Sequence, residues 1–151
     1  MSLTILERKS RLEKCQQAKK QLDKYRDKHS NRVQDKLALN TEIANLKGEI
    51  AFEESELTKV LRRIQRIQSS GPTCIIGGVA RKDPTACVEM LVDLSGSEAA
   101  HNANMSRLNR ELRNKEFDMQ VIEDDIAYFQ RIVEQTINDM NREDCLGIGI
   151  Y

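Results

Sequence analysis

The chain has no tryptophan, three tyrosines and three phenylalanines, so aromatic residues make up only 4% of it. That excludes a core built on large rings and leaves little stacking surface for bases. Proline occurs twice and glycine seven times, so few points interrupt a helix. No run of 18 apolar residues exists, so no transmembrane helix is expected. The start, Met1-Ser2-Leu3-Thr4, lacks the charged-then-apolar pattern of a signal peptide. A cytoplasmic setting follows as the expectation, and with it reduced thiols at Cys15, Cys74, Cys87 and Cys145. No Cys-x-x-Cys pair and no phosphate-binding Gly-x-x-x-x-Gly-Lys-Ser/Thr loop is present.

What the sequence has is charge and helical period. Charged residues are 32% of 151, with 24 of each sign. From Met105, apolar side chains recur at steps of three and four: Met105, Leu108, Leu112, Met119, Ile122, Ile126, Phe129, Val133 and Met140. Lys115 and Thr136 are the interruptions. Such spacing draws one seam along a helix and is the mark of coiled-coil packing. An upstream seam answers it: Leu39, Ile43, Leu46, Ile50, then Glu53 as an interruption, then Leu57, Val60, Ile64 and Ile67. Extended backward, that register passes through Lys36, Arg32, His29, Tyr25, Leu22, Ala18 and Cys15. Ser30-Asn31 weakens the helix locally but does not stop it, since neither Gly nor Pro is there.

Thr4-Ile5-Leu6-Glu7 reads as a capping box and starts the first helix. Ser69-Ser70-Gly71-Pro72 stops it. Ser95-Gly96-Ser97-Glu98 reads as the start of the second helix. The single elongated domain then divides into helix 4–68, tip 73–94, helix 97–144 and apolar tail 145–151. Two readings of the tip compete. In one, residues 73–80 and 86–94 are strands joined by a turn at Asp83-Pro84. In the other, Asp83 caps a short helix whose first residue is Pro84. The strand pair is preferred, because the first run wants a partner. The tail alternates apolar and small residues, as a short strand would.

The fold class is therefore mainly α: a long antiparallel helical hairpin, or coiled coil, with a small β-hairpin or mixed tip. If Ile67 sits across from His101, residue i faces about 168 − i, giving a rod of roughly 60 Å. Residues 4–27 would then overhang by roughly 35 Å. The polar part of the first helix would lie opposite Val133 and Met140, leaving them badly covered. A second subunit, packing as a helical bundle, would cover them. Val33, Leu37, Ile132 and Ile137 would broaden the apolar face.

Composition and spacing speak against catalysis. Cys74, Cys87 and His101 could approach one another as zinc ligands, or Cys87 and His101 as a nucleophile pair, but the spacing matches no metal motif. No cofactor, metal or small-molecule substrate is expected. Cys15 and Cys145 fall about 12 Å out of register, so no bond between them is expected. Residues 8–36 hold eleven Lys and Arg against four acids. Arg8, Arg11, Lys19, Lys20, Lys24, Arg26 and Lys28 could form an anion-binding stripe for nucleic acid. The plainer reading is that this basic half pairs with the acidic second half. Leu146, Ile148, Ile150 and Tyr151 form a possible docking tail.

The functional expectation is a non-enzymatic coiled-coil interaction subunit, a scaffold, adaptor or inhibitor, that associates with itself and with another protein. A nucleic-acid binder is the first alternative. In the order helix, tip, helix the chain is similar in outline to the prefoldin chaperones. That likeness of architecture implies a third reading, a holding chaperone whose tips pair and whose coils hold clients.

Overall fold

A computed structural model describes residues 4–69, 73–76 and 78–149. Helix α1 spans Ile5–Ser69, strands β1 and β2 span Thr73–Ile76 and Val79–Lys82, and helix α2 spans Pro84–Arg142. A single 3-10 turn, Leu146–Ile148, follows. The two long helices pack against each other as a helical hairpin. The contacts divide the chain into two compact units. The first holds Met1–Asn40 with Phe117–Tyr151, and the second holds Thr41–Glu116.

The capping box closes α1 as its residues require. The Thr4 N–H donates to Glu7 Oε2 and the Glu7 N–H to Thr4 Oγ1, both at 3.1 Å. The helix then runs unbroken through Ser30-Asn31. Gly48 lies on its exposed face, as the register requires.

The tip corrects the preferred sequence reading. β1 pairs with β2 antiparallel, Thr73 opposite Lys82 and Ile76 opposite Val79. Both strands come from the first apolar run and the segment after it. Gly78 turns the chain at φ +80°, a conformation that glycine adopts without strain. The second run is helix. Asp83 Oδ1 accepts from the N–H groups of Thr85 at 3.1 Å and Ala86 at 3.2 Å. Pro84 takes the first helical position, where its missing N–H costs nothing. Ser95-Gly96-Ser97 does not start a helix, because α2 is already under way and passes through it. One glycine costs a helix about 1 kcal/mol. The apolar positions on either side outweigh that.

α2 thus begins 13 residues before the expected residue 97, and the hairpin closes on a shorter connection. The pairing shifts accordingly. In the first unit, Gln21 meets Thr136, Tyr25 meets Phe129 and Arg32 meets Asp125. In the second, Glu42 meets Lys115 and Glu53 meets His101. Residue i faces about 157 − i, not 168 − i. The long overhang disappears, because Arg11 already reaches Glu143 and Asp144. So does the mismatch that called for a second subunit. Val133 and Met140 pack with Cys15, Ala18 and Leu22, and the polar stretch of α1 meets acids instead.

The thiols are also corrected. Cys15 is bonded to Cys145, with Cα atoms 5.5 Å apart, and Cys74 to Cys87, at 5.6 Å. The shift in register carries Cys145 to Cys15. Each unit therefore contains one disulfide. The tail differs too. Past Arg142 the chain turns through Asp144 at φ 51° and a 3-10 turn, closed by the Gly149 N–H donating to Leu146 O at 3.0 Å. Ile150 and Tyr151 lie outside the described residues.

Candidate interaction surfaces

The seam residues all turn inward. Leu39, Leu46, Ile50, Leu108, Met119, Ile122 and Met140 are buried. Ile43, Leu57, Met105, Leu112, Ile126, Phe129 and Val133 are half-buried. They form separate clusters within the two units. In the second unit, Leu46, Ile50 and Leu108 pack together, with Leu112 against them. Another cluster there joins Ile67, Cys74, Cys87 and Leu94. A seam spent on the partner helix of the same chain is core, not a docking face. Ile132 and Ile137 widen it, being half-buried, whereas Val33 and Leu37 are exposed and do not.

The polar seam positions are matched across the hairpin. Lys115 Nζ lies 3.0 Å from Glu42 Oε2. Arg32 Nη2 lies 2.7 Å from Asp125 Oδ2, and Lys36 Nζ 3.7 Å from Glu123 Oε1. His101 Nδ1 lies 2.5 Å from Glu53 Oε2, within hydrogen-bond distance. Thr136 is buried and its Oγ1 accepts from Gln21 Nε2 at 3.1 Å. The interruptions read from sequence are register marks. Slipping one helix by a heptad would set Glu42 against Leu108 or Ile122 and break its pair with Lys115.

The anion-binding candidates scatter. Arg11 is half-buried and donates to Glu143 O from Nε at 3.0 Å and from Nη2 at 2.7 Å. Lys19 pairs with Asp23 at 3.0 Å. Lys24 and Lys28 sit over the Tyr25 ring at 5.8 and 5.1 Å, and Lys28 also over Phe129 at 5.7 Å. Arg8, Lys20 and Arg26 are exposed. In the first unit, residues 1–40 carry eleven basic and five acidic groups, and residues 117–151 carry two and eight. The two helices of that unit cancel to zero, as the plainer reading holds.

The cysteine candidates do not come together with His101. In the bonded state Cys74 and Cys87 offer neither thiolate ligands nor a nucleophile. Of the tail candidates, Leu146 is exposed, the Ile148 side chain lies outside the described ones, and so do Ile150 and Tyr151.

Sequence reasoning missed a surface on α2. Phe117, Val121 and Tyr128 are 70%, 41% and 51% exposed. Steps of four and seven place them on one helix face, outside the seam. The signal was present as a second apolar series in the same helix, shadowed by the stronger first one. Among the described residues, no helix is long and apolar enough to cross a membrane. No protein-family model, curated protein or solved structure matches this chain.

Proposed function

We propose that the chain is a non-enzymatic interaction subunit: a disulfide-braced helical hairpin that docks helices of further copies of itself on the outer face of α2. The observation that carries this is the stripe of Phe117, Val121 and Tyr128, three large apolar side chains left in water beside a seam that is already filled. A helix apolar on two faces suits a bundle better than an isolated pair. The paired cysteines favour an oxidising compartment over the cytoplasm that the missing signal pattern first suggested. Nucleic-acid binding is less favoured, because intrachain acids engage Arg11, Arg32 and Lys36.

The test is absolute mass by light scattering on a sizing column, for the wild-type chain and for Phe117→Asp/Tyr128→Asp. The wild type is expected at two or more chains, and the variant at one, with equal helix content by circular dichroism. A wild-type mass of one chain at every concentration would remove self-assembly. An unchanged mass in the variant would remove this face.

A further inference from the structure

We propose that the Cys15–Cys145 disulfide is a redox latch: reduction by a dithiol releases the N-terminal turns of α1 from the end of α2 in the first unit, while the second unit stays packed. The inference stands apart from the self-assembly reading and rests on what each unit has besides its disulfide.

In the first unit the seam of α1 is thin. From Arg11 to Lys36 its inward positions are Arg11, Cys15, Ala18, Leu22, Tyr25, His29, Arg32 and Lys36, and Leu22 is the one full-sized aliphatic among them. The local cluster consists of Cys15, Leu22, Met140 and Cys145, with Ala18, Val133 and Ile137 against it, so half of its buried members are the latch itself. Beyond it stand the Tyr25–Phe129 ring contact and two polar ties that water can replace, Arg11 to Glu143 and Gln21 to Thr136. The bond also joins residues 130 apart, so cutting it frees an end of the helix that nothing else tethers covalently. The second unit is the opposite case. Cys74 and Cys87 sit among Ile67, Leu94, Val60, Ile64, Met90 and Leu91, and the bond spans only 13 residues. That cluster keeps its apolar contacts when the sulfurs separate.

The chemistry needs a thiolate to reach a buried bond. Cys15 and Cys145 are 0% and 1% exposed. A cleft of about 190 Å³ borders Cys145, with Leu146, Asn141 and Arg26 along it. Arg26 lines that cleft, and a cationic side chain there favours an approaching thiolate. One thiolate of the dithiol attacks a sulfur of the pair, forming a mixed disulfide and expelling the other protein sulfur as a thiolate, which takes up a proton. The second thiol of the reductant, as thiolate, then displaces the remaining protein sulfur, which is protonated in turn. The reductant becomes a cyclic disulfide and the protein gains two thiols.

The test uses the intact chain with increasing dithiothreitol. Thiol alkylation with peptide mapping reports each pair, and amide hydrogen exchange reports residues 11–25 and 43–67. When Cys15 and Cys145 are reduced, exchange over 11–25 is expected to rise by about tenfold or more with 43–67 unchanged, and reoxidation should restore it. Cys15→Ser/Cys145→Ser should exchange fast without reductant, and Cys74→Ser/Cys87→Ser should keep the full response. Unchanged protection over 11–25 after reduction would overturn the latch. An equal rise over both segments, or no reduction of this pair before the whole chain unfolds, would overturn it as well.

Discussion

Leu108 shows how a single position carries the second unit. It is 2% exposed and packs on Leu46 and Ile50. Neither neighbour can follow if it is shortened, because each is fixed by its own helical register. Leu108→Ala should therefore leave a cavity and cost about 3 kcal/mol, within the usual range for buried leucine. Urea unfolding followed by circular dichroism measures it. A loss under about 1 kcal/mol would mean that the site collapses, and that the seam is looser than its burial implies. The same substitution at Leu37 should be nearly silent, because that side chain is 63% exposed. Burial, not membership of an apolar series, sets the cost at this scale. The polar seam residues add selection. Glu42–Lys115 and Glu53–His101 stabilise little by themselves, yet a heptad slip would set Glu42 against Leu108 or Ile122.

At the scale of the element, two glycines mark where the helices are weaker than they need be. Gly48 and Gly96 lie inside α1 and α2, and a Cβ added at either meets nothing within 4 Å. Gly48→Ala and Gly96→Ala should each raise stability by about 0.5–1 kcal/mol, read as a higher melting temperature. Gly78→Ala should do the reverse, because φ +80° is strained for alanine. The helical seams were legible from sequence because period is a local property that survives any change of partner. The bounds of α2 were not. Ser95-Gly96-Ser97 carries the residue types of a helix start, but Asp83-Pro84 carries them earlier, and the chain uses the first adequate cap it meets. The register, the separation of Cys15 from Cys145 and the cover over Val133 and Met140 all hung on that one boundary. An error of 13 residues there put Cys145 out of register with Cys15 and hid their disulfide. The exposed stripe at Phe117, Val121 and Tyr128 was hidden for a different reason: a seam search takes the strongest series in a helix and passes over the next.

For the whole molecule, the charge distribution makes a prediction of its own. The N-terminal half of α1 carries the basic excess, and taken alone it would attract any polyanion. In the folded chain the excess faces Glu123, Asp125 and Asp144, which lie within 4 Å of Lys36, Arg32 and Arg11. A phosphate backbone would have to displace those carboxylates while meeting the remaining acids of α2. The net charge of the first unit is zero, and so is that of the second. The chain should therefore bind a single- or double-stranded oligonucleotide no more tightly than about 10⁻⁴ M at physiological salt, the weak end of non-specific binding. Fluorescence anisotropy of a labelled oligonucleotide measures this. Micromolar binding that fell steeply with added salt would mean that the α1 lysines act together despite their acidic neighbours. Lys20→Glu/Lys24→Glu would then abolish it, and the basic stripe, not the apolar face of α2, would be the surface this fold presents.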